Sequence, residues 1–326
     1  MKLEKLHIKN FKSLVDLEII KPNPFTVFAG PNGAGKSNIF EALEFGAGSV
    51  TFVGGYHKIF GSKEDLVSRI ISDDIIEFSF TIDPVGTWIK TYDFRDLSFG
   101  MKLGEDHDLK NIKHSGIDNF WLTRFSRIFI GNRKELKLFL KDDTNLVLDG
   151  SNLERVLKRL LEDENKREDI SEYLEMFLPG FRQIEIHSDT LSGNDTILIY
   201  EKCINKPFTK DLISDGTYNI LCLLTALFQS DEPQFLCIEE PENGLNPYVI
   251  QEFVELCRLM CEDHGHYIWL NTHSQTLVRA LKEEELILVD KENGATKIKQ
   301  FEKGAFYGLK ADEAWLTNTL GAGIPW

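Results

Sequence analysis

The stretch Gly30-Pro31-Asn32-Gly33-Ala34-Gly35-Lys36-Ser37 matches the pattern G-x-x-x-x-G-K-[ST], in which a glycine-rich loop holds phosphate groups. The apolar run Phe25–Ala29 before it predicts a buried strand, and Asn38–Phe45 after it predicts a helix. Glycines let consecutive backbone N–H groups turn toward one anion, and the start of the helix adds the positive end of its dipole. The loop and its flanks therefore predict a nucleotide-binding site rather than a glycine-rich turn that fits the pattern by chance.

The side chains of this phosphate loop (residues 30–37) predict which groups of the nucleotide and its metal ion each residue contacts. We expect Lys36 to reach the β- and γ-phosphates of the nucleotide and the Ser37 hydroxyl to take one position around Mg²⁺. The other residues expected to contact the nucleotide are Gly30, Asn32, Gly33, Ala34, Gly35 and Asn38.

Composition narrows the class of protein. The chain has 326 residues, of which 42% are hydrophobic, enough for a large core in one domain or two. The net charge of −15 argues weakly against nucleic-acid binding by the whole surface and leaves a local basic patch possible. The first residues lack the apolar run of a signal peptide, and no stretch approaches the length of a membrane span, so we expect a cytoplasmic protein.

The hydrophobic pattern predicts an α/β fold in which a mixed sheet core is accompanied by an antiparallel subdomain. Alternating apolar residues predict antiparallel hairpins first, and buried strands alternate with helices from residue 212 onward. One amphipathic helix is predicted over residues 151–168, capped by Ser151 or Asn152. We therefore divide the chain into the first part of an ATPase-like head, an inserted, partly helical lobe and the second part of the head, over residues 1–100, 101–180 and 181–326.

Two carboxylates directly follow the apolar strand Phe235–Ile238. In a phosphate-loop ATPase, this is the place of the second nucleotide motif. We expect Glu239 to hold Mg²⁺ through water and Glu240 to orient and polarise the attacking water. The alternative is an acidic strand end that only meets solvent, and the strong phosphate loop argues against it.

Two further segments belong to the same prediction. His273 follows the next buried strand, where it could contact the γ-phosphate, although a lone histidine there is often structural. Ser214 and Gly216 stand at the start of the helix after residue 212, and such a helix N-terminus both needs a cap and attracts an anion. The five cysteines contain no C-x-x-C pair; Cys257 and Cys261 fit one helix face, but nothing completes a zinc site with them.

The combined motifs resemble the ATP-binding-cassette superfamily in its SMC/RecF-like branch. Within that branch they resemble the small AAA-type (AAA15/AAA21) ATPases of bacterial defence systems, which also form the ATPase half of the overcoming-lysogenisation-defect (OLD) nucleases. The segments that carry the resemblance, in the family's order, are Ile8–Ser13, Gly30–Asn38, Ile213–Thr217, Glu239–Pro247 and Asn271–Ser274.

The resemblance implies a mechanism in which two heads face each other across ATP. Each ATP would lie between the phosphate loop of one subunit and Ser214 and Gly216 of the other, with Glu240, His273 and Lys36 as the catalytic residues. Lys12 stands where the family usually has an arginine near the phosphates. A glutamine that links the site to a partner (the Q-loop) is expected within residues 46–62, and none is identified there.

Three functions compete on these grounds. The first is an ATPase switch that controls a separate effector, a nuclease or toxin, in anti-phage defence. This function is favoured because too few residues separate the two halves of the motif set for the heptad repeats of an SMC protein. Too few residues also follow His273 for a TOPRIM nuclease domain. The second is a RecF-like clamp on DNA, whose basic face would comprise Arg124, Arg127, Arg133, Lys134, Lys137, Arg155, Lys158 and Arg159. The third, a transporter ATPase, is disfavoured by the Glu239-Glu240-Pro241-Glu242 form and by the Asn10–Ser13 turn.

Overall fold

A computed structural model of the chain describes residues 2–48, 60–84, 86–96, 98–103, 124–130, 144–189 and 193–321. The strands, in chain order, are β1 (Lys2–Phe11), β2 (Leu14–Ile20), β3 (Phe25–Ala29), β4 (Ile75–Asp83), β5 (Gly86–Asp93), β6 (Ser98–Leu103), β7 (Phe125–Ile128), β8 (Phe181–Ser188), β9 (Asp195–Glu201), β10 (Phe208–Thr209), β11 (Phe235–Glu239), β12 (Tyr267–Thr272), β13 (Leu286–Glu292) and β14 (Ala295–Gln300). The helices are α1 (Lys36–Gly48), α2 (Lys63–Leu66), α3 (Leu153–Glu162), α4 (Glu164–Phe177), α5 (Asp215–Phe228), α6 (Pro247–His264), α7 (Gln275–Arg279) and α8 (Ala311–Leu316).

The central sheet has the strand order β14-β13-β3-β12-β11-β7. All neighbouring strands from β13 to β7 are parallel, and only β14 runs antiparallel to its neighbour. Parallel strands end at the same edge of a sheet. The segments after β3, β11 and β12 therefore meet at one edge, although they are far apart in the sequence.

Both faces of the central sheet are covered. In β11, Leu236 and Ile238 pack into a core shared with α3 to α6, whereas Phe235 and Cys237 pack into a second core shared with α1 and the antiparallel strands. Strands buried on both faces read as continuous apolar runs, which explains why β3, β11 and β12 are recognisable from the sequence.

The antiparallel subdomain is a five-stranded sheet of order β2-β1-β4-β5-β6. The predicted hairpins are confirmed: Ile8 pairs with Leu17 in the first, and Phe80 with Trp88 in the second. The sheet packs on α1 through Phe45, whose ring lies 6.0 Å from that of Phe78. The antiparallel sheet thus supports α1, the helix that follows the phosphate loop.

The helix predicted over residues 151–168 is two helices, α3 and α4. The break occurs at Asp163, whose side chain accepts hydrogen bonds from the N–H groups of Asn165 and Lys166 and so caps α4. Asn152 stands at the start of α3, but its side-chain oxygen accepts from the Val147 N–H instead of capping the helix. The prediction of one helix was wrong because a capping aspartate inside a polar run starts a new helix without changing the hydrophobic pattern.

The range 101–180, assigned above to an inserted lobe, contributes β7 to the central sheet as the neighbour of β11. The limits at residues 100 and 180 stay predictions. Helices α3 and α4 share their core with β8 and β9 of a small three-stranded sheet, β10-β9-β8. Within the described ranges, no helix is both long enough and apolar enough to cross a membrane.

Candidate functional site

The phosphate loop connects the end of β3 to the start of α1. Gly35 has a φ of +108°, and a Cβ atom there would lie 2.1 Å from Thr296 Oγ1 and 2.8 Å from Ser13 Oγ. Both the backbone conformation and the lack of space require glycine at this position. The tight path of the loop is therefore set jointly by its own glycine and by two residues from other elements.

A series of side-chain hydrogen bonds stabilises the conformation of the phosphate loop. Thr296 of β14 donates its hydroxyl to the Ala34 carbonyl over 2.8 Å and lies 2.7 Å from Ser13 Oγ, which accepts a hydrogen bond from the Asn38 amide at 2.7 Å. Asn38, expected to contact the nucleotide, thus has its side chain engaged with Ser13. Sequence reasoning missed Thr296, because nothing local connects a threonine on a hairpin with a loop 262 positions earlier.

Lys36 folds back over the loop from which it emerges. Its ammonium group donates to the carbonyls of Gly30 at 2.8 Å and Pro31 at 3.0 Å, and the residue is 5% exposed. Burial lowers the pKa of Lys36 to about 8, against the opposing effect of Glu240 and the two other nearby carboxylates, Glu242 and Glu239. A buried ammonium group held within a glycine-rich loop suits the phosphates of a nucleotide.

Ser37 and Glu239 meet although they are 202 positions apart. The Ser37 hydroxyl donates to Glu239 Oε2 over 2.5 Å, and the Asn271 amide donates to the same oxygen over 3.0 Å. Register explains the second contact, because Glu239 and Asn271 are partners in the pairing of β11 with β12. A hydroxyl and a carboxylate are the hard oxygen ligands that Mg²⁺ prefers, so these residues fit the predicted metal site.

Arg127 of β7 also belongs to this cluster, although the sequence analysis assigned it to a basic surface. Its Nε atom lies 2.7 Å from Glu239 Oε1, and its Nη1 atom lies 2.9 Å from Glu44 Oε2 on α1. Burial alone would lower the pKa of the guanidinium, but the charges of Glu239 and Glu44 raise it above its usual value. Arg127 therefore remains charged inside the protein and belongs to the site, not to a basic surface.

Several other members of the proposed basic face are engaged in contacts within the chain. Arg159 donates its guanidinium to the carbonyls of Thr144 and Gln229. Lys158 is paired with Asp195 over 3.0 Å. Three other members, Arg133, Lys134 and Lys137, lie outside the described residues. Among the described members, Arg155 is exposed, and the partly exposed Arg124 is paired with Glu232 as Lys158 is with Asp195.

Glu240 leaves the strand in an unusual conformation. Its φ is +47°, in the left-handed region that residues other than glycine seldom adopt, and such strain collects at functional sites. The backbone holds it there, since the Glu240 N–H donates to the Asn271 carbonyl at 3.0 Å and to its side-chain oxygen at 3.1 Å. Because the backbone turns at Glu240, the side chains of Glu239 and Glu240 lie in different environments although the two residues are adjacent in the sequence.

His273 lies at the same edge, next to the phosphate loop. Burial lowers the pKa of its imidazole, the Lys36 charge lowers it further, and Glu240 and the Gly30 backbone act in the opposite direction. Glu242 holds this segment, because its Oε1 accepts from the Thr272 hydroxyl at 2.6 Å and from the His273 N–H at 3.1 Å. The strand ends thus bring Lys36, Glu240 and His273 together.

The side chain of Lys12 contacts α1. Its ammonium group is 2.5 Å from Glu41 of that helix, and its backbone φ is +51°. A contact between Lys12 and a nucleotide stays a prediction. Most of the range expected to contain the Q-loop, residues 49–59, lies outside the described residues.

Ser214 and Gly216 form the exposed start of α5. Ser214 caps the helix by accepting from the Thr217 N–H at 3.1 Å. Gly216 packs against Gly244 so closely that a Cβ atom would lie 2.3 Å from the Gly244 carbonyl oxygen. Asn219 then donates to the carbonyls of Pro241 and Asn243. The start of α5 is tied to the loop that follows Glu240, and a movement of one would move the other.

No group of three or more His, Cys, Asp or Glu residues in the described ranges is arranged to hold a metal ion. Cys257 is buried, Cys261 is half-buried, and both are free thiols. That these two cysteines lack a zinc site stays a prediction. The candidate metal position remains the pair Ser37 and Glu239.

Comparison with known proteins identifies the family and the fold. A family model described as "AAA domain, putative AbiEii toxin, Type IV TA system" matches residues 25–279. The chromosome partition protein Smc of Methanocaldococcus jannaschii is 49% identical over 49 residues, which are 15% of this chain and 4% of that protein. Structural maintenance of chromosomes protein 1 of Schizosaccharomyces pombe is 32% identical over 112 residues, 33% of this chain and 8% of that protein. The chain spans less than a tenth of the length of these curated relatives.

Solved SMC heads share the fold. An SMC head bound to the C-winged helix domain of ScpA superposes with a TM-score of 0.65 at 19% identity, covering 92% of this chain and 98% of that one. The SMC head with an extended coiled coil from Pyrococcus furiosus gives 0.63 at 15% identity, covering 98% of both. At such identities the likeness establishes the fold alone. The match over residues 25–279 nevertheless establishes the family: this chain belongs to the AAA-domain family of the AbiEii type, phosphate-loop ATPases with an SMC-head-like fold.

Proposed function

We propose that two copies of this chain bind ATP between them and hydrolyse it, and that this cycle controls a separate effector, a nuclease or toxin, in anti-phage defence. One observation carries the proposal: the phosphate loop, Glu240 and His273 lie at one sheet edge, while Ser214 is exposed at the start of α5. A second copy could therefore add its Ser214 to a site where the phosphate loop, Glu239, Glu240 and His273 already lie close together.

The residues divide the chemistry as follows. Lys36 and the loop N–H groups bind the phosphates, and Ser37 and Glu239 would hold Mg²⁺, which neutralises phosphate charge when bound. Glu240 orients water and accepts its proton as the water oxygen bonds to the γ-phosphorus and the bond to the β-phosphate oxygen breaks. His273 beside Lys36 is placed to sense the γ-phosphate.

Dimerisation on ATP tests the central part of the proposal. Glu240→Gln removes the general base and keeps the side-chain volume, so ATP and Mg²⁺ should trap this variant as a dimer in size-exclusion chromatography with light scattering. Glu262→Gln, the same change at an exposed position of α6, should behave as the wild type. If neither the wild type nor Glu240→Gln changes its assembly with ATP, the proposal is refuted.

Ser214→Arg separates binding from assembly. The exposed side chain lies outside the phosphate loop, so the variant should bind ATP with unchanged affinity but fail to dimerise in the Glu240→Gln background. Loss of the helix cap costs about 1 kcal/mol of stability, which denaturation would reveal. Equal dimerisation with and without the arginine would place the second half of the ATP site elsewhere.

The family description, which names a toxin–antitoxin system, supports the effector part of the proposal. A strain carrying the gene with its genomic neighbours should plate phage less efficiently than one without it. Lys36→Met should restore plating, because the variant lacks the ammonium group that binds phosphate. Equal plating in all three strains would remove the defence role while leaving the ATPase function intact. Salt-dependent binding of duplex DNA in the presence of ATP would favour the RecF-like alternative instead.

A further inference from the structure

Arg127 contacts the carboxylate oxygen of the candidate metal ligand Glu239 that does not accept from Ser37. Its Nε and Nη2 atoms lie 2.7 Å and 2.5 Å from the same carboxylate oxygen, Oε1. The other oxygen, Oε2, accepts from Ser37 at 2.5 Å and from Asn271 at 3.0 Å. The guanidinium therefore occupies one oxygen of Glu239 and leaves the second facing Ser37.

The same guanidinium reaches the phosphate-loop helix. Its Nη1 donates to Glu44 Oε2 of α1 over 2.9 Å, and the side chains of Arg127 and Glu44 are 10% and 11% exposed. Arg127 thus joins β7, the carboxylate at the end of β11 and the helix that begins with Lys36. A buried guanidinium with two carboxylates is held in place firmly, because removing one charge would leave another uncompensated.

A planar fork can hold a carboxylate in one orientation, which a flexible ammonium cannot do equally well. Groups that orient a metal ligand control metal affinity almost as strongly as the ligand itself. Arg127 has the geometry of such a group, since its contacts determine which oxygen of Glu239 points toward Ser37.

We propose that Arg127 is a positioning residue for Mg²⁺: it fixes the Oε2 atom of Glu239 beside Ser37 and ties this carboxylate to the phosphate-loop helix through Glu44. The inference rests on the proposed function only in that a nucleotide with Mg²⁺ binds at the phosphate loop. It does not depend on dimerisation, hydrolysis or an effector.

The test measures nucleotide binding at equilibrium with a fluorescent, non-hydrolysable ATP analogue. Arg127→Lys keeps the positive charge and loses the fork. We expect the Mg²⁺ concentration that gives half-maximal binding of the analogue to rise roughly ten-fold. The affinity for the analogue in EDTA should stay unchanged, because among the described residues the side chain of Arg127 bonds to Glu239 and Glu44 and not to residues 30–37. A purely structural role would weaken binding equally with and without Mg²⁺ and would overturn the proposal, as would an unchanged Mg²⁺ dependence.

Arg124→Lys is the matched control, since it makes the same change at an arginine that is paired with Glu232 instead of with Glu239. It should show wild-type Mg²⁺ dependence. If Arg127→Lys does not fold, Arg127→Met combined with Glu44→Gln removes one positive and one negative charge together. This double variant should show the same rise in the Mg²⁺ concentration for half-maximal binding and unchanged affinity in EDTA. If the wild type binds no nucleotide at all, both this inference and the proposed function fail; normal binding without dimerisation refutes only the latter.

Discussion

Replacing Gly216 by alanine would test the close contact between α5 and the loop after Glu240. The added methyl group would lie 2.3 Å from the Gly244 carbonyl oxygen. Ordinary contact needs about 3.3 Å, so the helix and the loop must separate by about 1 Å. Overpacking of this kind costs 1–3 kcal/mol, while alanine in a helix returns up to about 1 kcal/mol. We therefore expect the free energy of unfolding to fall by about 1–2 kcal/mol.

The same displacement should impair function beyond its effect on stability. Asn219 binds the carbonyls of Pro241 and Asn243, so a shift of α5 would strain the segment that holds Glu240 in its left-handed conformation. We expect ATP-dependent dimerisation of Gly216→Ala to fall at temperatures where the variant is still fully folded.

Gly46→Ala provides the matched control for this prediction. Gly46 is also helical, and a Cβ atom there would lie 3.4 Å from Phe78 Cδ1, an ordinary contact. This variant should be neutral or up to about 1 kcal/mol more stable. Urea denaturation followed by tryptophan fluorescence measures both variants. If Gly216→Ala is as stable as Gly46→Ala and dimerises normally, the close approach of α5 to Gly244 is wrong.

Three further changes probe separate parts of the structure. Thr296→Val removes the hydroxyl that donates to the Ala34 carbonyl, so the ATP analogue should bind more weakly with Mg²⁺ and in EDTA alike; unchanged affinity would show that the brace is dispensable. Asp163→Ala removes the cap of α4 and should cost about 1 kcal/mol in urea denaturation without altering dimerisation, and a neutral effect would argue for one continuous helix. Burial lowers the pKa of His266 to about 4, below its unfolded value, so the unfolded chain binds the extra proton as pH falls. The wild type should therefore lose stability between pH 6.5 and 4 by about 1.4 kcal/mol per pH unit more than His266→Gln, and parallel profiles would contradict this.

Much of the candidate site could be predicted from short stretches of the sequence. The phosphate loop is a contiguous stretch whose glycines and lysine have individual geometric reasons, and β3, β11 and β12 are buried on both faces and read as apolar runs. Polar residues directly after such strands were therefore expected to meet. The structure brings Lys36, Glu240 and His273 together as that reasoning requires, while their contacts with a nucleotide stay predictions.

Other features had no local signal. Arg127 was grouped with surface cations, because neither its neighbours nor its spacing reveal that Glu44 and Glu239, 83 and 112 positions away, will surround it. Thr296 looks like an ordinary hairpin residue until β14 is placed beside the Ser13 turn, where the Thr296 N–H donates to the Ser13 carbonyl.

The sequence by itself determined which chemical groups this protein has and at which strand ends they stand, because loop glycines, caps and buried strands are encoded over a few residues. Only the tertiary structure decided which groups share an environment. Strand order places β11 between β12 and β7, and this order surrounds Glu239 with Ser37, Asn271 and Arg127. Such contacts depend on the packing of segments that are distant along the chain, and no local pattern records them.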